Sequence, residues 1–509
     1  MSSALGSTKK LIAGCVLAFV GNGANAAVVI SVGRTSDMVC TGGVCAPSAS
    51  DAVLNVNDLQ KLLKKSSVTV KTGAGAVDVD ITSPVTWISA KSLTLDADHS
   101  IVVDAAVSDA GPGALTLNAD GAGQGGTVSF GSSGNVMFFG DGNVLTIHNR
   151  RYKLENNLSS LAGDIARNSA GYFALAGNID AGGQTYSAAP ISTTFDGVLQ
   201  GLGNTISGLA ISTDQQKANV GLFAVVGSKG HINSVRISNS DVTATGEEGQ
   251  VGALVGWNHG TIFQCDTTGT QVSVTHGSAI GGVVGANDGT VSRCSVDASV
   301  QDQSGRAVVG GLIGSSRGTV ELSAAFGSVL GASRFPVVGG LVGDNEGVLD
   351  ESFTGASVST VRPVGHGGVS LTAGGLVGDN GGSVNNCYST GSATAHGGET
   401  GGAVGKNSGK IFNSYSTGVP TGARAPDKPG GFVGYDSGYL VDTYWNMTTS
   451  GITNPSQGAG NRSNDPGITG LTTTQLQSGL PAGFDPMIWG ENPGFNGGLP
   501  YLLANPPSN

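Results

Sequence analysis

The chain of 509 residues carries few charges (12%) and few aromatic side chains (6%) but contains 86 glycines, whereas globular domains carry about 25% charged residues and about 7% glycine. Its net charge of −11 excludes an electrostatic basis for binding nucleic acid or anionic lipid. The glycines follow no three-residue period, which excludes collagen, and an apolar content of 39% is too high for simple disorder. This composition predicts many short strands joined by tight turns.

The first 26 residues have the pattern of a secretory signal peptide. Two lysines at positions 9 and 10 precede an apolar run over residues 11–20, and Ala24 and Ala26 supply small residues for cleavage after Ala26. Residues 12–15 resemble a lipobox, which is the alternative interpretation. The apolar run of about ten residues is too short to span a bilayer. We therefore expect a secreted or cell-surface protein with no integral membrane segment.

Residues 27–152 are predicted to form an N-terminal β-rich region. Two cysteines close together in an exported chain, Cys40 and Cys45, predict a small disulfide loop. Residues 58–65 have the pattern of a short helix. The remainder, over residues 67–152, alternates in the manner of strands, which fits either β-helix coils or a β-sandwich.

A transition segment is expected over residues 153–215. Residues 158–167 favour a second short helix. The glycine-containing stretch over residues 195–206 is predicted to form a first β-helix coil. This segment therefore leads from the N-terminal region into the repeats.

Residues 216–446 contain eight repeats, each marked by a glycine that follows two aliphatic or other apolar residues. The marker glycines lie 27 to 35 residues apart, and five of the seven intervals are 29 residues. A coil of this length with several short strands fits a solenoid, because a propeller blade needs about 40 residues. The marker glycines are Gly227, Gly256, Gly285, Gly314, Gly343, Gly378, Gly405 and Gly434.

Three columns of the aligned repeat carry structural information. The apolar pairs before the marker glycine predict a continuous core. An asparagine column predicts a turn, because Asn tolerates a left-handed backbone, and a hydrogen-bonded ladder along the axis. It contains Asn258, Asn287, Asn345, Asn380 and Asn407. A column of small residues predicts a tight inward position, and it contains Cys265, Cys294, Ser323, Ser352, Cys387, Ser414 and Thr443.

The repeat cysteines are interpreted as small core residues. A metal or redox role is the alternative, although none of them has a zinc-type spacing. Cys265 and Cys294 are also candidates for a bridge between neighbouring rungs.

These features predict an all-β fold, a right-handed parallel β-helix (a solenoid) with short capping helices. Eight rungs about 4.8 Å apart would stack to roughly 38 Å. The Pro/Gly-rich residues 447–509 are predicted to form a C-terminal cap, with Phe484 and Trp489 among its apolar residues. A cap is expected because the strands at the open end of a solenoid have unpaired backbone N–H and C=O groups, which could pair with another chain.

The repeats resemble GLUG motifs, which are named for a Gly-Leu-x-Gly pattern. Residues 339–345 and 374–380 both read Gly-Gly-Leu-Val-Gly-Asp-Asn, and residues 386–391 are echoed by residues 413–418. Such motifs occur in secreted bacterial adhesins similar to filamentous haemagglutinin and in some surface proteases. The resemblance implies a cell-adhesion function. The Asn-Pro-Asn-Leu and Asn-Pro-Asn-Gly marks of that family's two-partner secretion domain are missing, so the secretion route stays open.

The sequence offers no convergent catalytic constellation, and we expect no enzyme activity, no cofactor and no metal. No histidine pair forms an HExxH motif, and His396 with Glu399 is interpreted as a polar loop. Asp288, Asp344 and Asp379 lie near the repeat turns, where Asp is common for backbone reasons. The alternative is that these carboxylates bind Ca²⁺ or serve as the catalytic carboxylates of a polysaccharide-cleaving β-helix.

Aromatic residues recur directly after the small-residue column. Tyr388, Tyr415 and Tyr444 occupy this position, and Trp445 is adjacent. Exposed on one edge, these side chains would suit contact with a glycan or protein ligand. The alternative is a buried aromatic stack.

The leading functional hypothesis is an adhesin-like protein that binds a host protein, a matrix protein or a glycan through its repeat face. One alternative is a polysaccharide-active β-helix enzyme. Another is a structural surface or biofilm component that acts by self-association.

Overall fold

The computed structural model describes residues 26–123, 125–303, 306–361, 371–422 and 428–507. The predicted signal segment therefore lies outside the described residues, except for Ala26. Strands dominate, and they wind into a β-solenoid of about 14 turns built from parallel sheets. The predicted all-β parallel β-helix is thus confirmed. No helix within the described ranges combines the length and apolarity that crossing a membrane requires.

The N-terminal region is itself a parallel β-helix, which decides between the two predicted alternatives. One sheet contains Ala52–Asn55, Ala27–Ser31, Asp78–Ile81, Ile101–Val103 and Val128–Phe130. A second contains Val85–Trp87, Val107–Asp109 and Val136–Phe138. The third side runs through Met38–Thr41, Val44–Pro47, Val68–Lys71, Ser92–Asp96, Ala114–Asn118 and Val144–Ile147. Alternate residues of these strands point inward and form their own apolar core.

The predicted helix of this region spans Val56–Leu63, and we call it α1. Asn55 caps its N-terminus by accepting a hydrogen bond from the backbone of Asn57. The predicted disulfide is confirmed, since Cys40 and Cys45 are bonded across the hairpin in which they are paired.

The chain reverses after this first solenoid. Val144–Ile147 pairs antiparallel with Arg150–Glu155 around a two-residue turn, His148–Asn149, in which both residues have positive φ (47° and 61°). Helix α2, Leu158–Arg167, follows as predicted, and Arg150–Glu155 then pairs in parallel with Tyr172–Leu175. A second solenoid begins here, so coils exist well before the first repeat.

The second solenoid has five strand columns around each complete coil. The first contains Arg150–Glu155, Tyr172–Leu175, Val198–Gln200, His231–Asn233, Thr261–Phe263, Thr290–Ser292, Thr319–Glu321, Val348–Asp350, Ser383–Asn385, Lys410–Ser416 and Tyr439–Asn446. The second and third, which merge in several coils, contain Ile179–Asp180, Thr185–Tyr186, Thr205–Ser207, Ala210–Thr213, Arg236–Ser238, Asp241–Ala244, Asp266–Val274, Ser295–Asp302, Ala324–Gly331, Phe353–Thr354, Ser357–Thr360, Tyr388–Ser389, Ala393–Ala395, Pro420–Thr421 and Ile468–Leu471.

The two remaining columns are separate sheets. A seven-stranded sheet contains Asn219–Val220, Gln250–Val251, Ala279–Gly281, Val308–Gly310, Val337–Gly339, Thr372–Gly374 and Glu399–Gly401. An eight-stranded sheet contains Phe223–Val226, Val255–Asn258, Val284–Asn287, Ile313–Ser316, Val342–Asn345, Val377–Asn380, Val404–Asn407 and Val433–Asp436. The apolar pairs before seven of the eight marker glycines lie at these strands and build a continuous core, as predicted. In the first repeat the predicted pair is out of register, because Val226 pairs with Asn258, and Leu222 and Phe223 occupy the core positions instead.

The asparagine ladder is confirmed, but its residues do not use the left-handed backbone that asparagine tolerates and on which the turn prediction relied. Asn380, for example, accepts from the amide of Asn345 at 2.8 Å and donates to Asn407 at 2.8 Å. These side chains are buried at strand ends, and their backbones are not left-handed. The left-handed bend comes six residues later in most coils, at Leu202, Ser234, Gln264, Arg293, Leu322, Glu351, Asn386, Asn413 and Asp442.

The small-residue column points inward, as predicted. All seven members are buried, and the repeat cysteines Cys265, Cys294 and Cys387 are free thiols, so no bridge joins Cys265 to Cys294. Burial raises the pKa of the Cys294 and Cys387 thiols well above its usual value, which disfavours the reactive thiolate. The packing interpretation therefore explains this column.

The C-terminal tail departs from the predicted cap. Residues around Ile468–Leu471 continue the last coil, and a short helix α3, Thr473–Leu476, follows. The chain then turns back along the side of the solenoid and ends in the strand pair Trp489–Gly490 and Tyr501–Leu502, with a 3-10 turn at Asn496–Gly498. The tail therefore covers a side of the coil as well as its end.

Candidate ligand-binding surfaces

The predicted aromatic edge exists as an in-register column. Phe353, Tyr388, Tyr415 and Tyr444 lie in line across successive coils. The rings of Phe353 and Tyr388 stack with centroids 4.8 Å apart, and those of Tyr388 and Tyr415 with centroids 5.1 Å apart. These side chains form a cluster separate from the solenoid core, so the column lies on the outside of the coil.

The C-terminal tail buries this column. Phe484, Trp489 and Leu502 pack on the tyrosines, and the phenol of Tyr444 donates to the carbonyl of Ala482 at 2.8 Å. Trp445 is different, because it lies inside the solenoid core. All four predicted ligand-contact residues are therefore buried, the exposed-edge prediction is wrong, and the buried-stack alternative is correct. The apolar residues of the tail were the sequence signal for this cover.

A partly exposed column runs along the eight-stranded sheet. It alternates with the buried asparagine ladder, and its side chains therefore face outward. We call it the repeat strip, and it contains Trp257, Ala286, Ser315, Asp344, Asp379, Lys406 and Tyr435.

The charged centre of the repeat strip is an acid pair beside a lysine. Asp344 and Asp379 are register partners in neighbouring coils, and Lys406 donates to Asp379 at 3.0 Å. Burial, with the adjacent carboxylates of Asp379 and Glu346, raises the pKa of Asp344 to about 6. Asp288 does not join this pair. It instead accepts a hydrogen bond from the indole of Trp257 at 2.8 Å.

An open groove borders the repeat strip, two to four residues further along each coil. Its volume is about 550 Å³, and Gly347, Gly382, Gly409 and Gly438 lie along it in successive coils. A Cβ at Gly382 would lie 2.2 Å from the carbonyl oxygen of Gly347, so only glycine fits there. We call this cavity the glycine groove.

The two long side chains of the glycine groove are at its C-terminal end. Lys410 and Tyr439 are register partners, and Tyr439 is 59% exposed. Neither residue is among the predicted site residues. The signal was their alternation with the inward Ile411 and Leu440, which places them on the outer surface.

Metal ligation has no support in the described ranges, where no three His, Cys, Asp or Glu side chains are placed to hold an ion. The loop residue His396 lies 2.9 Å from the carbonyl of Thr360 through its Nδ1 atom. Glu399 accepts from the hydroxyl of Thr372 at 3.2 Å. Both side chains therefore have structural contacts.

Comparisons with known proteins give the following results. No family model matches the chain, and no curated protein matches it. Among solved structures, the chain is similar to a Bacteroides ovatus protein provisionally described as an immunoglobulin A1 protease. The identity is 18% and the TM-score 0.39, over 70% of this chain and 93% of that chain. A likeness at this level supports no inference about function, so the class of this protein, a parallel β-helix, follows from its own topology.

Proposed function

We propose that this chain is an exported, adhesin-like recognition protein that binds a glycan, matrix or host-protein ligand along its repeat face. The glycine groove is the observation that carries the proposal, because it crosses four successive coils in the direction of the solenoid axis. Export rests on the signal-peptide pattern of residues 1–26.

The shape of the groove favours an extended ligand. Adjacent coils lie about 4.8 Å apart, so a polymer laid along the axis meets a similar backbone surface at each coil. Tyr439 offers an aromatic face and Lys410 a cation at one end. The strip residues Asp379 and Lys406 lie beside the groove and add polar contacts.

The test is a glycan and matrix-protein array probed with the mature chain, residues 27–509. We expect selective, saturable binding that Tyr439→Ala and Lys410→Ala each weaken by about tenfold or more, the effect of losing one good contact. Met487→Ala is the matched control, since Met487 is 78% exposed on the tail. A blank array with folded protein that self-associates would replace this proposal with the structural surface component.

A second candidate function is polysaccharide cleavage, and the Asp344–Asp379 pair favours it. Asp344, with a pKa of about 6, has the property of a general acid. Asp379, which accepts a hydrogen bond from Lys406, would be the ionised carboxylate beside it. The assay is release of reducing ends from acidic and neutral polysaccharides. Activity that Asp344→Asn and Asp379→Asn abolish would establish the enzyme, and its absence on substrates that bind would exclude it.

A further inference from the structure

A second cavity lies where the two solenoids meet, far along the chain from the repeats. Its volume is about 850 Å³, larger than that of the glycine groove. One wall is the loop at Phe138–Asn143 of the first solenoid, and the other is strand Arg150–Glu155 with the segment at 168–172 of the second. The backbone hydrogen bond from Phe138 to Ala176, at 2.7 Å, ties the walls together. We call it the junction cleft.

Aromatic rings are exposed in the junction cleft. Phe139 is 66% exposed and Tyr172 is 37% exposed, in a chain with only 6% aromatic residues. The ring of Tyr152 packs against the ring of Tyr172 in an edge-to-face contact, with centroids 5.5 Å apart. Exposed rings beside a cavity supply a flat apolar surface on which a sugar ring packs.

The loop that carries Phe139 is held in place. Asn143 accepts from the backbone of Gly140 at 2.8 Å and donates to Asp109 at 2.8 Å and to the carbonyl of Gly111 at 2.7 Å. The aromatic wall is therefore preorganised, which lowers the cost of ligand binding.

Cations outnumber acids among the residues that line the junction cleft. Arg151 and Lys153 line it, alternating with the inward Tyr152, and Arg150 lies over the ring of Tyr172 at 5.8 Å. Lys153 also pairs with Asp164 and lies 3.7 Å from the carboxylate of Glu155, so Arg151 is the lining cation that is left for a ligand. Asp141 is the acidic lining residue. Three cations within four residues concentrate positive charge in a chain whose net charge is −11.

We infer that the junction cleft binds a sugar that carries a carboxylate, such as a uronic acid or a sialic acid unit. The carboxylate pairs with the guanidinium of Arg151, whose planar fork suits that geometry, and the sugar ring packs on Phe139 and Tyr172. A water-filled seam between two solenoids would need neither exposed rings nor a cluster of cations. This site is separate from the glycine groove and goes beyond the proposed function.

The experiment is calorimetric titration of the mature chain with three probes: trigalacturonate, sialyllactose and neutral maltotriose. We expect binding of at least one acidic probe, little binding of the neutral one, and a weaker affinity in high salt. Arg151→Gln and Phe139→Ala should each reduce the affinity by about tenfold or more, while Arg151→Lys retains part of it. Circular dichroism confirms that each variant is folded.

Two control variants lie away from this site. Arg317→Gln removes an exposed arginine near the repeat strip, and Met487→Ala removes an exposed side chain of the tail, so neither should change the titration. Failure of both acidic probes to bind, equal binding of the neutral probe, or unchanged affinity in folded Arg151→Gln would each overturn the inference. These outcomes are independent of whether the repeat face binds its own ligand.

Discussion

The phenol of Tyr415 donates a hydrogen bond to the carbonyl of Pro500 at 2.6 Å, across 85 residues of sequence. The amide of Asn496 donates to the same phenol oxygen at 2.8 Å. Further along the tail, Asn505 donates to the carbonyls of Ser323 and Glu351, each at 3.2 Å. The tail is therefore a strap along the outer aromatic column, which would otherwise be an exposed apolar stripe.

The first prediction concerns the anchor of this strap. Trp489 lies 4.4 Å from Phe484 and 5.9 Å from Tyr415 between ring centroids. Trp489→Ala should destabilise the docked tail by about 3–5 kcal/mol, because a buried indole is lost and a cavity remains. Amide hydrogen exchange should then accelerate across the tail, and an apolar dye should bind the uncovered tyrosines, while the coils stay protected.

Met487→Ala is the control, because its side chain is exposed and lies two residues away. Uniform loss of protection through the whole solenoid would contradict the strap, since it would make the tail part of one cooperative unit. Unchanged exchange in the tail would contradict the anchoring role of Trp489.

The second prediction concerns a substitution that would close a gap in the asparagine ladder. Ser316 accepts from Asn287 at 3.1 Å but does not reach Asn345, whose Oδ1 atom is buried without a hydrogen-bond partner. Ser316→Asn should join the two ladder segments and raise the free energy of unfolding by about 1–2 kcal/mol. Thermal and urea unfolding measure the change.

Ser315→Asn is the matched control, because its side chain lies on the outer face of the same strand. It should leave stability within about 0.5 kcal/mol of the parent protein. A Ser316→Asn protein no more stable than the Ser315→Asn protein would show that the ladder gap costs nothing.

The third prediction concerns the left-handed bend. Leu322 has φ of 50°, where later coils use Asn386, Asn413 and Asp442. A left-handed backbone costs a bulky residue about 1–2 kcal/mol, and Asn less. Leu322→Asn should therefore raise the unfolding midpoint, and Leu322→Val should lower it. Leu322→Ala is the control, and an equal gain from Ala would assign the effect to the lost leucine side chain.

Local periodicity explains which parts of the fold the sequence predicted. The solenoid, the ladder through Asn380 and the inward position of Cys294 all follow from repetition at 29 residues, because each coil contacts its neighbour. The left-handed bend was misplaced, because its occupants, such as Gln264 and Leu322, are not turn-forming residues. Interaction with the neighbouring coils overrides their local preference.

Long-range contacts explain what the sequence did not predict. Gln264 bonds to the backbone of Phe130 in the first solenoid, and Asn505 bonds to Ser323, across separations of 134 and 182 residues. No periodic signal marks such contacts. The burial of Tyr415 and the existence of the junction cleft therefore required the three-dimensional structure, whereas the exposure of Tyr439 could have been read from strand alternation.

The last prediction is a pH dependence located in the first solenoid. Burial, with the nearby carboxylates of Asp78 and Asp104, raises the pKa of Asp80 from 3.8 to about 6. Between these values the folded chain holds a proton that the unfolded chain has released, so stability falls as pH rises through this window.

Asp80→Asn removes this penalty. It should stabilise the protein by on the order of 1 kcal/mol above about pH 7, after allowance for solvent screening of a half-buried group. The gain should vanish at about pH 3, well below both pKa values, because both states are then protonated. Urea unfolding at both pH values measures it, with exposed Asp96→Asn as the control. A gain of equal size at both pH values would show that the ionisation of Asp80 is not its cause.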